Sequence, residues 1–136
     1  MRVVLDANVF VSALISRSGA PAGLVRLWLE GEYELVVCEA LIAELESALA
    51  YPKIRKRIAA EDASEFVRLV RELAETVADP DEPPPAHSAD RKDDYLLALA
   101  GRENVPLVSG DAHLLALGGV LPILSPRELL DRVQAD

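Results

Sequence analysis

The chain has 136 residues, 51% of them apolar and only 4% aromatic, with a formal net charge of −9. That is enough chain for one domain spanning 1–136, its core built from Leu, Val, Ile and Ala. The acidic balance argues against a protein that coats nucleic acid with a basic footprint, and no stretch approaches the roughly 20 apolar residues of a membrane span.

Strand and helix candidates alternate along the chain. Val3 to Leu5 is a first strand, and residues 7 to 15 suit a helical turn or two. Gly19-Ala20-Pro21 breaks the chain. Ala22 to Glu30 then carries Leu24, Leu27 and Trp28 at helical spacing, closed by Gly31. Glu34 to Cys38 is a second strand, and Glu39 to Ala50 a helix ended by Pro52. Lys53 to Ala60 is a short basic helix. Asp62 to Ala74 is another, with Phe66, Leu69, Val70 and Leu73 inward, Asp62 as its cap and Glu65 completing a capping box.

Thr76 to Ala78 is a short third strand, followed by the stiff, Pro-rich loop Asp79 to Pro85. Asp93 to Arg102 is a helix, Leu107 to Ser109 a fourth strand, Ala112 to Leu117 a helical turn and Val120 to Leu124 a fifth strand. Ser125-Pro126-Arg127-Glu128 is a strong helix start, with a Ser cap, Pro in the first turn and Glu to close the box; that helix runs to about Val133. The alternation predicts an α/β fold of three layers around a parallel sheet of about five strands. A single cysteine, Cys38, excludes an intramolecular disulfide and fits a reducing cytoplasm. Asp6 and Asn8 interrupt the N-terminal apolar run, which therefore does not read as a secretory leader.

In parallel sheets, sites form at the carboxyl ends of strands. Asp6 follows the first strand and Ser109-Gly110-Asp111 the fourth, so the two acids share a crevice if those strands are neighbours. Glu44 lies in the helix after the second strand, and Asp93 begins the helix "DDYLLALA" with Asp94 beside it. Carboxylates converging in one pocket repel one another unless a cation holds them. Oxygen ligands without His or Cys suit Mg²⁺ or Mn²⁺, the ions of phosphodiester chemistry. Each residue also has a plain structural role open to it. Asp93 suits a helix start, Glu44 an exposed helix edge, Asp111 a turn after Gly110, Asn8 a helix cap and Ser12 a helix surface.

The strings "VVLDANVFVSAL", "VVCEALIAELESAL" with "YPKIRKR", "DRKDDYLLALA", "PLVSGDAHLLAL" and "PILSPRELL", in that order, are those of a known family. The chain resembles PIN-domain ribonucleases, in particular the small bacterial and archaeal PIN proteins related to VapC-like toxins. The resemblance implies Asp6, Glu44, Asp93 and Asp111 as acidic metal ligands for Mg²⁺ or Mn²⁺. Asn8 and Ser109 would be supporting polar groups, and Asp94 the competitor of Asp93. Ala7 stands where the family most often has Thr or another small residue, and it lacks the hydroxyl. The implied reaction is metal-dependent hydrolysis of RNA, leaving a 5′-phosphate, by the toxin of a toxin–antitoxin pair. The implied partners are an antitoxin protein and further copies of the chain in a homodimer or higher homo-oligomer, for which the apolar faces of residues 22 to 29 and 41 to 49 are available if they are not core.

Lys53, Arg55, Lys56 and Arg57 form the best basic cluster for phosphates, with Arg91, Lys92 and Arg17 as further cations, although such a cluster also suits a solvated face. His113 reads as a helix-surface residue. Two rival classes have sequence consequences. A phosphatase of the haloacid dehalogenase type needs an Asp where this chain has Asn8, and a later catalytic Lys for which there is no good candidate. A non-catalytic module gripping a basic peptide is compatible with the net charge, but makes no use of four separate acids.

Overall fold

Val3, Val4 and Leu5 are fully buried in β1 (Arg2–Leu5), as expected of a strand covered on both faces. The computed structural model describes residues 1–135, so the last residue of the expected 1–136 domain lies outside the described residues. After β1 come α1 (Ala7–Ile15), α2 (Ala20–Leu29), β2 (Glu34–Val37), α3 (Glu39–Ala50), α4 (Pro52–Arg55), α5 (Ala60–Leu73) and β3 (Glu75–Thr76). A single 3-10 turn, Arg91–Asp93, leads into α6 (Asp94–Glu103), followed by β4 (Leu107–Val108), α7 (Ala112–Leu115), β5 (Ile123–Leu124) and α8 (Pro126–Ala135).

The five strands form one all-parallel sheet in the order β3-β2-β1-β4-β5. Helices α1, α2, α3, α5 and α8 pack on one another in a continuous chain, while α6 lies on β1 and β4. This is the expected three-layer arrangement. The order reverses at β1: the chain moves outward through β2 and β3, then returns to the other side of β1 for β4. That reversal opens a crevice at the carboxyl ends of β1 and β4, where open α/β sheets bind ligands.

Several local expectations are corrected. The second helix starts at Ala20 rather than Ala22: Gly19 ends the break after α1, while Ala20 and Pro21 form the first turn of α2, where a proline lacks no needed N–H. Pro52 both stops α3 and opens α4, which ends at Arg55; the run to Ala60 is interrupted by a turn that buries Ile58. Asp62 does not cap α5, since the helix begins at Ala60 and Asp62 joins Glu61 in its first turn, where acids complement the helix dipole. Leu73, expected inward, is 56% exposed at the end of that helix. The fifth strand is confined to Ile123–Leu124, and Val120 is 81% exposed on the preceding turn. Leu24, Trp28, Leu41, Ile42, Leu45 and Leu49 are buried within this chain's own core, so the faces considered for pairing are already used. Phe66 meets Phe10 edge to face at 5.8 Å, tying α5 to α1. Among the described residues, no helix is long and apolar enough to cross a membrane.

Candidate active site

β1 and β4 pair through Leu5 and Val108, and the Asp6 N–H donates to the Val108 carbonyl at 2.9 Å. This places Asp6 and Ser109 side by side where the two strands end. Ser109 is fully buried and its hydroxyl donates to Asp6 Oδ2 at 2.8 Å. The same hydroxyl accepts from the Asp111 N–H at 2.9 Å. One serine thus links the first acid to the backbone that carries the fourth.

Asp6 is 3% exposed and caps α1, its Oδ1 accepting from the Asn8 N–H at 3.4 Å. The cap is therefore Asp6, and Asn8 leaves its own side chain exposed. Asp111 caps α7 by accepting from the His113 N–H at 2.8 Å. His113 is an exposed residue whose Nδ1 lies 3.7 Å from Asp111 Oδ1.

Glu44 is half-buried on the inner edge of α3 and accepts a hydrogen bond from the Tyr95 hydroxyl of α6. Burial is the main cause that raises its pKa, opposed by the Tyr95 bond and reinforced by Asp6 and Asp90. Burial likewise raises Asp6, against the bond from Ser109. Asp93 is 9% exposed at the end of the 3-10 turn. Its carboxyl is pushed up to about 6, first by burial and then by the charges of Asp6, Asp90, Asp111 and Glu44. Asp93 therefore feels each of the other three candidate ligands.

Asp94 faces elsewhere. Its carboxylate takes His87 Nδ1 at 2.7 Å and the Ser88 N–H at 2.8 Å, which hold it below the ordinary carboxylate range. It pins His87 and Ser88, just after the Pro-rich loop, to α6. Two participants were missed in the sequence. Tyr95 orients Glu44 across the pocket, and Asp90 adds a fifth negative charge at its rim. The only sequence hint for either was position within "DRKDDYLLALA".

Among the described residues, no three His, Cys, Asp or Glu side chains stand close enough together to hold a metal ion. Asp6, Glu44 and Asp111 are each engaged by hydrogen bonds from the protein itself. The donor set nevertheless suits a hard divalent cation: carboxylates at one crevice, three of them with their charged forms disfavoured in its absence, and no sulfur or imidazole among them. The cations fall outside this centre. Lys53, Arg55, Lys56 and Arg57 are exposed on and just after α4. Arg91 and Lys92 are exposed on the 3-10 turn beside Asp93, with Arg91 Nε 4.0 Å from Asp94.

A model of the PIN domain family matches residues 2–113, which include all four candidate acids. The fold is similar to that of PAE2754 from Pyrobaculum aerophilum, known from a crystal structure, with a TM-score of 0.69 and 21% sequence identity, covering 100% of this chain and 91% of that one. No curated protein matches the chain.

Proposed function

The chain belongs to the PIN domain family, whose members are generally nucleases, and from that premise we propose that it is a metal-dependent ribonuclease cutting RNA phosphodiester bonds. The observation that carries this reading is the β1–β4 crevice itself, where the Ser109 hydroxyl ties Asp6 at the end of β1 to the backbone of Asp111 after β4.

Asp6, Glu44, Asp93 and Asp111 would hold Mg²⁺ or Mn²⁺. Such an ion, when bound, neutralises phosphate charge and lowers the pKa of the attacking water. Ser109 fixes the rotamer of Asp6 and the backbone of Asp111, and Tyr95 fixes Glu44. Hydrolysis adds the water oxygen to phosphorus, breaks the bond to the 3′ oxygen and returns the proton there, leaving a 5′-phosphate. Water is favoured as nucleophile over the one thiol in the chain, because burial pushes Cys38 up to about 11 and leaves it protonated at neutral pH. The motif strings further support a role as the toxin of a toxin–antitoxin pair in the cytoplasm, blocked by an antitoxin protein and working as a homodimer. Exposed Tyr51, Leu73 and Val120 remain available for such contacts.

The test is cleavage of a labelled single-stranded RNA mixture with Mn²⁺, Mg²⁺ or EDTA, comparing the wild type with Asp6→Asn. Metal-dependent cleavage lost in Asp6→Asn is expected. Cleavage that persists in EDTA, or equally in the variant, would overturn the proposal. The absence of a ready ligand group among the described residues favours a second reading, an acidic binding module without catalysis; it predicts no Mn²⁺ uptake in a calorimetric titration.

A further inference from the structure

A cleft of about 300 Å³ opens beside the acid pocket, bordered by Asn8, Ser12, Pro21, Gly110, Asp111 and Pro126. Its size is at the lower end of small-molecule sites, which begin at about 300 Å³. Two of its bordering residues continue into the catalytic geometry. The Asn8 N–H donates to Asp6 Oδ1 at 3.4 Å, and the Asp111 N–H donates to Ser109 Oγ at 2.9 Å. A group lying in the cleft is therefore next to whatever the acids hold.

Asn8 and Ser12 are four residues apart in α1, so they share a helix face one turn apart. Both are exposed, and neither side chain is engaged in a hydrogen bond among the described residues. They contribute a carboxamide and a hydroxyl, both uncharged. Pro21 and Pro126, the prolines that open α2 and α8, add two rigid apolar rings. Among the described residues, Asp111 is the only charged one at the border. A second phosphate would be repelled there, whereas a neutral planar ring would find apolar walls and a polar edge.

We infer that this cleft is a base subsite, receiving the nucleobase of the residue next to the scissile phosphate, with Asn8 and Ser12 reading its edge. The inference rests on the acid pocket being a nuclease centre. A carboxamide offers a donor beside an acceptor, which matches the N6–N7 edge of adenine in a bidentate pair. On the edge left free when the Watson–Crick face is paired or turned away, adenine alone sets a donor beside an acceptor, so adenine is the base expected at that position, with the proline rings against its faces.

Two measurements test this. In the first, the metal-free protein is titrated with adenosine, guanosine, cytidine and uridine while the Asn8 side-chain amide and the Gly110 N–H are followed by NMR. Adenosine is expected to shift both more than the other nucleosides do, Ser12→Ala to weaken the response at both, and Asn8→Ala to weaken it at the Gly110 N–H. Resonances that stay in place, or that move equally with all four, overturn the subsite. In the second, cut positions are mapped on a randomised single-stranded RNA. Adenine enrichment beside the cut should fall roughly tenfold in Asn8→Ala, and enrichment that survives the substitution overturns the subsite. If adenosine binds but no RNA is cut, the nuclease reading falls, and with it the place beside a scissile phosphate, and only base binding by the cleft is left; cleavage with no base preference overturns the subsite and leaves the nuclease reading standing.

Discussion

Asp93 and Asp94 are adjacent in the chain, yet burial and four neighbouring acids push the first carboxyl up to about 6, whereas His87 holds the second below the usual carboxylate range. The raised group sets a pH dependence. Between about pH 4 and the folded value, the native protein keeps a proton on Asp93 that the unfolded chain has released, so metal-free stability falls as pH rises through that window. Asp6 and Glu44 are raised in the same sense. The lowered carboxylates Asp94, Glu103 and Glu128 oppose this only on acidification below the ordinary range near pH 4. Melting in EDTA should therefore give a higher Tm near pH 5 than near pH 7.5, and a Tm that climbs across that interval would contradict the acid pocket. Asp93→Asn should stabilise the metal-free protein by roughly 1–2 kcal/mol near pH 7.5, abolish stabilisation by Mn²⁺, and lower cleavage on the order of a hundredfold or more. Asp94→Asn should instead loosen the loop that His87 and Ser88 anchor, read as faster proteolytic nicking there, with cleavage much less affected. Ser109→Ala removes the hydroxyl shared by Asp6 and Asp111; leaving these groups unpaired should cost about 1–3 kcal/mol and reduce cleavage about ten- to a hundredfold. Denaturant melts and initial rates on one RNA substrate check both effects.

At the scale of elements, what was legible in the sequence is what is local. The box that opens α8 is an example: the Glu128 N–H donates to Ser125 Oγ at 3.1 Å and the Ser125 N–H to Glu128 Oε1 at 3.0 Å, both partners lying within four residues. Ser125→Ala should cost about 1 kcal/mol, a fall in Tm of roughly 3–5 °C for a chain of this size, and calorimetry reads it directly. Val3-Val4-Leu5 was legible for a related reason, since a strand covered on both faces is apolar at successive positions. The start of α5 was misread because Asp62 and Glu65 fit a cap pattern that the helix overrides by starting earlier on Ala60. The site was legible only in its ingredients. Four acids after strands or on helices can be marked in a sequence, but the contact of β1 with β4 joins segments a hundred residues apart, and no periodicity encodes strand order. The choice between Asp93 and Asp94 depends on where the 3-10 turn passes into α6, and the Tyr95–Glu44 contact depends on how α6 faces α3 across the pocket. Tyr95→Phe should release Glu44 and lower cleavage about tenfold while the fold is kept, measured as a loss of rate against an unchanged circular dichroism spectrum.

Across the whole molecule the charge is distributed unevenly. Residues 47 to 60 contain Lys53, Arg55, Lys56 and Arg57 and no acid, so the rest of the chain sets ten cations against twenty-three acids. Most of the other arginines are occupied: Arg2, Arg68, Arg71, Arg91, Arg102 and Arg127 all stand in ion pairs. The four on and after α4 have no carboxylate partner among the described residues. Tyr51, 66% exposed, stands immediately before them and offers a face on which a base can stack. An acidic body repels a polynucleotide, so a nuclease of this composition needs one region where phosphates are welcome, and this stretch is suited to that role. It follows the helix that carries Glu44, since α3 ends at Ala50, about 9 Å along the axis from Glu44 at 1.5 Å per residue. Each phosphate neutralised on a single strand contributes about 0.7 to the slope of log affinity against log salt. Replacing all four cations with Gln should therefore flatten that slope by up to about 3, measured by fluorescence anisotropy of a labelled oligonucleotide in EDTA, where cleavage cannot intervene. Because the four side chains are exposed, the Tm should stay within about 1–2 °C, and rates at saturating substrate should hold while KM rises. An unchanged slope would mean that the stretch is a solvated face and that the polynucleotide approaches the acids by another route, with Arg91 and Lys92 beside Asp93 the next pair to neutralise.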